Sequence, residues 1–243
     1  MVNVRYLIAA KTKTKTVNYQ LSTIILFPVP MKISLFDDMS QCTEAEVKRL
    51  LPLVSEQRRE QALRFKHLFG QFACLKSYVM LKQCVSDVMA DDVENEIFKS
   101  DLMGWNGLFV YNEHGKPFMQ DINTGMEIKG VDFSISHCQK GIVVVLASQA
   151  VGIDIECYRH AEDSLLKKTM NDLEIMGIKA SNNPAREFAF YWTAKEALLK
   201  LKGTGIVDEL PQVLSGLYQA PYTIKVHDGV DKGYVYTVIS SRM

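Results

Sequence analysis

The chain has 243 residues, 47% of them hydrophobic, with 28 basic and 28 acidic side chains and a formal net charge of zero. That composition supports one large folded domain or two of about 100 residues each; it argues against disorder and against a nucleic-acid partner held by bulk charge. No apolar run approaches the ~20 residues of a bilayer-spanning helix, so no membrane partner is expected.

Residues 1–30 carry a lysine–threonine repeat, Lys11 to Thr16, and then only a short apolar run, Thr23 to Phe27. A charged repeat followed by so short a run and no clear cleavage site is not a secretory signal. The stretch reads as a leader that is poorly ordered or precedes a natural start at Met31. Met31 to Phe36 reads as the first strand. Thr43-Glu44-Ala45-Glu46 spells a capping box and should open a helix, which Pro52 breaks or restarts. Ser55 to Phe65 reads as a charged helical segment anchored by Leu63 and Phe65. With Arg58, Arg59, Arg64, Lys66 and His67 it forms the most basic stretch, either a solvated helix face, as charge runs usually are, or a seat for an anionic group. Phe69 to Met89, with Phe72, Leu75, Val79 and Val88, reads as a largely buried helix. Residues 91–104 read as a loop or a broken helix.

Gly107 to Tyr111 is a strand candidate, and Asn112 to Gly115 is turn chemistry. Lys116 precedes Pro117 and is biased to extended backbone, which holds it in a defined place. Val131 to Ser136 reads as a strand ending at His137. The turn Gln139-Lys140-Gly141 leads into the apolar run Ile142 to Ala147. Cys138 beside His137 raises the idea of a Cys–His nucleophile, but neighbours on an extended chain point apart. The five cysteines are odd in number and include no C-x-x-C pair. They give no zinc pattern and no obvious disulfide framework, and reduced thiols in a cytoplasmic protein are the economical reading.

Val151 to Glu156 alternates and reads as a strand. Side chains two apart share a face, so Asp154 and Glu156 point one way while Ile153 and Ile155 turn to the core. Two carboxylates on one face repel unless a positive group sits between them; a hard dication such as magnesium takes oxygen ligands and suits the place. The plainer alternative is an edge strand with a solvated acidic face. Further on, Phe190 to Lys200 reads as a helix that Gly203 ends. Trp192, Glu196 and Lys200 recur every four residues and line one face. They form either a Glu–Lys surface pair beside a buried tryptophan, worth a few tenths of a kcal/mol, or a third carboxylate and a phosphate contact. The tail, Tyr222 to Val226 and Tyr234 to Ile239 with glycine-containing turns between, reads as a hairpin.

Gly152-Ile153-Asp154-Ile155-Glu156, followed by Trp192-Thr193-Ala194-Lys195-Glu196-Ala197 and its continuation to Lys200, resembles the paired motif of the 4′-phosphopantetheinyl transferases. Arg186-Glu187-Phe188 and Gly203-Thr204-Gly205 fit the same pattern. Upstream, Phe133 to His137 resembles the family's Ser–His loop, and Gly115-Lys116-Pro117-Phe118 its Gly-Lys-Pro turn. The four elements come in the family's order and cover roughly residues 31–210.

The resemblance implies an α+β fold of two similar α+β halves, residues 31–148 and 149–243, with the site between them. It implies transfer of the 4′-phosphopantetheine arm of coenzyme A to a serine of an apo acyl or peptidyl carrier protein, itself acidic. Mg2+ would sit on Asp154, Glu156 and Glu196, with Glu196 also the base. Lys200, Lys116, Ser136 and His137 would contact the coenzyme phosphates, and Arg64 with its basic neighbours would face the nucleotide end or the carrier. Lys195 should face elsewhere, and the two-half layout predicts a monomer. The chain departs from the family where the long helix often opens with an arginine and then a serine or threonine: here Gln71, Phe72 and Cys74 stand, leaving Lys76 as the substitute. Two other classes stay open, a magnesium-dependent nucleotide phosphodiester hydrolase and a non-catalytic carrier-binding relative.

Overall fold

The structure is a computed structural model and describes residues 31–90, 96–215, 217 and 222–241; the expected leader lies outside the described residues. Helices and strands are mixed in an α+β arrangement. The first sheet is antiparallel, in the order β1 (Met31–Phe36), β5 (Gly141–Ala147), β4 (Asp132–Cys138). β5 lies in the middle with every residue buried, which is why it reads as an unbroken apolar run. Ile142, Val144 and Leu146 face the long helix α3 (Leu68–Ala90) with its Phe72 and Leu75. Val143, Val145 and Ala147 face a second sheet instead, where they meet Ile153 and Ile155.

Ahead of α3, Thr43 caps α1 (Glu44–Leu50) by accepting the Glu46 N–H at 3.2 Å. The Glu46 carboxylate bonds Arg49 at 2.7 and 2.6 Å, so only half of the expected capping box forms. Pro52 lies in a 3-10 turn, Leu51–Leu53, and Ser55 caps α2 (Glu56–Leu63). The expected anchors of this segment are wrong. Leu63 and Phe65 are exposed, and the helix is held instead by Ala62, fully buried, and by Arg58, which donates to the Cys74 carbonyl and to Ser77 Oγ. A further helix, α4 (Glu96–Met103), precedes a hairpin of β2 (Trp105–Tyr111) and β3 (Pro117–Asp121), whose Phe109 and Met119 enter the first core.

The second sheet is also antiparallel, in the order β6 (Val151–Cys157), β8 (Tyr234–Ser241), β7 (Tyr222–Gly229). Its outer face carries α7 (Pro184–Lys202), which packs Ala197, Leu198 and Leu201 against Ile239. Pro184 at the first turn and Asn183 as cap start α7, and Gly203 at φ 67° ends it. Gly152 is needed for this contact: a Cβ there would collide with the Ala197 carbonyl oxygen, so only glycine lets the helix press onto the strand. Between β6 and α7 run α5 (Asp163–Thr169) and α6 (Asp172–Ala180). Among the described residues no helix is long and apolar enough to cross a membrane.

Candidate active site

The two-residue alternation of β6 sorts its side chains between two neighbours. Ile153 and Ile155 enter the core between the sheets. Asp154 faces α7 and meets Lys200, whose Nζ donates to its Oδ1 at 2.7 Å. Ser136 Oγ donates to the same oxygen at 2.7 Å, while Asp154 Oδ2 is buried without a hydrogen-bond partner. Glu196 lies one helical turn before Lys200, on the same face of α7.

The Asp154 charge acts on two further carboxyls, Glu196 and Glu156. Burial first, and then the Asp154 charge, push the Glu196 carboxyl above its ordinary range, against the pull of Lys200. The same two causes raise Glu156, opposed by Arg159, Trp192 and Lys200. Arg159 lies over the rings of Phe188 and Trp192, at 5.4 and 5.9 Å from their centroids, and so is fixed near this carboxylate. Among the described residues, no three His, Cys, Asp or Glu side chains are gathered closely enough to form a ready metal centre.

A pocket of about 290 Å³ opens beside the cluster, lined by Lys116, Phe133, Ile135, Glu196, Lys200 and Ile206 among others. Lys116 reaches it from the β2–β3 turn. Asn112 shapes that turn, its Oδ1 accepting the N–H groups of His114 and Lys116, and its Nδ2 donating to the Gly203 carbonyl at the end of α7. The Lys116 ammonium is bonded to Asp132 Oδ2 at 2.7 Å and to the Leu201 carbonyl at 3.2 Å.

The expected Ser–His loop is part of strand β4, and its two residues diverge. Ser136 turns to Asp154; His137 turns the other way and meets Phe69 edge-on at 5.5 Å. Desolvation first, and then the Lys200 charge, hold its imidazole below the usual value. Arg64 is exposed at the end of α2 and does not line the pocket. Lys76 lies over the Phe36 ring at 4.0 Å and does not line it either. The Cys138 thiol is pushed up to about 12, mainly by burial, which disfavours its thiolate. Lys195 does face elsewhere, buried against Glu174 at 2.8 Å.

The sequence pattern singles out neither Asp132 nor Arg159, and marks Asn112 only as part of a turn. Asp132, Ser134 and Ser136 were visible as alternate polar positions in a strand; nothing local distinguishes Arg159.

Residues 150–231 match the model of the 4′-phosphopantetheinyl transferase superfamily. Over 213 residues, 82% of this chain and 87% of the relative, the chain is 25% identical to the 4′-phosphopantetheinyl transferase Sfp of Bacillus subtilis. A second Bacillus subtilis protein, the 4′-phosphopantetheinyl transferase ffp, is 23% identical over 214 residues, 82% of this chain and 88% of its own. The 4′-phosphopantetheinyl transferase HetI of a Nostoc species is 32% identical over 121 residues, covering 45% of this chain and 50% of that one. Over most of its length the chain is thus similar to 4′-phosphopantetheinyl transferases of the Sfp type.

Proposed function

We propose that this chain is an enzyme that transfers the 4′-phosphopantetheine arm of coenzyme A to a serine of an apo acyl or peptidyl carrier protein. The products are the holo carrier and adenosine 3′,5′-bisphosphate. The observation that carries the reading is the convergence of Asp154, Glu196 and Lys200 between β6 and α7, beside a pocket reached by Lys116. Relatives spanning most of the chain are named for this transfer. None of the named relatives favours the hydrolase alternative.

The donor set suits a hard dication. Asp154 has a buried oxygen without a partner, and its charge raises two further carboxyls. Asp154, Glu156 and Glu196 would hold Mg2+, and the bound ion would neutralise charge on the coenzyme diphosphate. The chain's own side chains supply the rest. Glu196, its carboxyl raised above its ordinary range by burial and the Asp154 charge, takes the proton of the incoming serine. Lys200 and Lys116 present ammonium groups to phosphate oxygens, and His137 adds a ring N–H. The nucleophile belongs to the carrier, which accounts for a site with carboxylates and lysines but no activated serine or cysteine.

We read residues 31–148 and 149–243 as two similar halves with this site in their seam. The protein acts as a cytoplasmic monomer on an acidic carrier. The test is the intact mass of an apo acyl carrier protein after incubation with the chain, coenzyme A and magnesium. The carrier should gain one phosphopantetheine arm, and the gain should vanish with Glu156→Ala. No gain on several carriers, together with no binding of coenzyme A, would overturn the proposal.

A further inference from the structure

Strand β4 is joined to β6 by side chains. Asp132 Oδ2 accepts the Val151 N–H at 2.9 Å, Ser134 Oγ accepts the Ile153 N–H at 3.1 Å, and Ser136 Oγ donates to Asp154 Oδ1 at 2.7 Å. Alternate positions on one strand thus fix a neighbouring strand that lies in a different sheet. Asp132 stands apart from the two serines because it brings a charge into a place only 7% exposed. A buried carboxylate must be paired. Its partner is Lys116, whose ammonium donates to the same Oδ2 at 2.7 Å, both side chains being 10% exposed. The other Asp132 oxygen accepts the Phe133 N–H at 2.9 Å.

Lys116 gains a fixed position from this. Two of its three N–H donors go to Asp132 and to the Leu201 carbonyl, and its head lies 5.3 Å from the Phe118 ring centroid. A lysine tail in solvent samples many rotamers, and a ligand that recruits it must freeze them. Here the freezing is done before any ligand arrives. Building on the function proposed above, we propose that Asp132 is a positioning residue for coenzyme binding. It anchors the Lys116 ammonium on the Asp132 and Leu201 side, so that the lysine, which is part of the pocket lining, already has its conformation when the coenzyme arrives. The same carboxylate oxygen fixes the first residue of β6, so the lysine and the strand that carries Asp154 and Glu156 are set by one group.

The test is a double-mutant cycle on Asp132→Ser and Lys116→Gln. It reads the Kd of coenzyme A by calorimetry and the KM and kcat of transfer to an apo carrier. Serine at 132 can accept the Val151 N–H as Ser134 accepts that of Ile153, which preserves the strand contact; Asp132→Asn is the second variant should serine destabilise the fold. Asp132→Ser should raise the Kd and KM for coenzyme A about 5–20-fold, with kcat held within about 3-fold, a size typical of coupling between residues in contact. In the Lys116→Gln background the same substitution should add nothing. An unchanged Kd, or an equal rise in both backgrounds, overturns the positioning role while transfer by the wild-type chain persists. A wild-type chain that neither binds coenzyme A nor modifies a carrier fails earlier, at the reading on which this role rests.

Discussion

Helix α7 carries two lysine–carboxylate pairs five residues apart, and they are built in opposite ways. Lys195 is fully buried; its ammonium meets Glu174 at 2.8 Å and the carbonyls of Leu210 and Pro211 at 2.9 and 3.2 Å, so three donors find three acceptors. Glu174 in turn accepts the Asn171 N–H, completing the cap of α6. Lys200 is 31% exposed at its side chain and meets an Asp154 whose second oxygen has no partner and whose neighbours, Glu156 and Glu196, are acidic. A buried pair with every bond filled contributes order, whereas a pair beside two further carboxyls is left with its charge unbalanced. The difference follows from helix geometry: a step of five residues moves to another face, one turned to the packed α6 and the other to the pocket.

The largest effect should come from breaking the satisfied pair. Lys195→Met leaves Glu174 buried without its cation, and the unfolding free energy should fall by roughly 3–5 kcal/mol. Chemical denaturation measures this; a loss below about 1 kcal/mol would mean that Glu174 finds other partners and that the contrast between the two pairs is smaller than their geometry suggests. Transfer by the folded fraction should persist. Asp154→Asn should behave in the reverse sense. It removes a charge from the crowded cluster, so stability should change little, while the transfer rate falls at least ~100-fold, the scale of losing a group that acts on the reacting atoms. Full transfer at ordinary magnesium would return Asp154 to a purely structural part.

The sequence carried the two motif elements well because each follows a single period. Alternation in Val151 to Glu156 gave both the strand and the faces of Asp154 and Ile155, and the four-residue spacing of Trp192, Glu196 and Lys200 gave the helix face turned to β6. What sequence could not carry was set by partners far along the chain. Lys116 read as a phosphate contact, yet its ammonium is held by Asp132, 16 positions on, and by Leu201, 85 on. Ser136 and His137 read as one loop acting together, yet strand alternation turns them apart. Leu63 and Phe65 read as anchors because they are apolar, but α2 is fixed by Arg58 reaching α3, a contact that no local pattern encodes. The role of Gly152 likewise became visible only once α7 lay across it.

The smallest expected effect is also the finest probe of the contrast. Burial and the Asp154 charge raise the Glu156 carboxyl above its ordinary 4.5. A group whose folded value is raised binds its proton more tightly in the native state. The stability it lends is complete below the ordinary value and is lost as pH rises through the folded one. At pH 7.5 ionised Glu156 therefore costs stability, and glutamine, which imitates the protonated form, removes that cost. Glu156→Gln should raise the Tm of the metal-free chain by a few degrees at pH 7.5, and the gain should disappear below pH 4. Magnesium added to the wild type should recover the same stability by binding the native state, and should recover less in the variant. A variant less stable than wild type at pH 7.5 would mean that Glu156 is as well satisfied as Glu174. The two faces of α7 would then differ in exposure but not in charge balance.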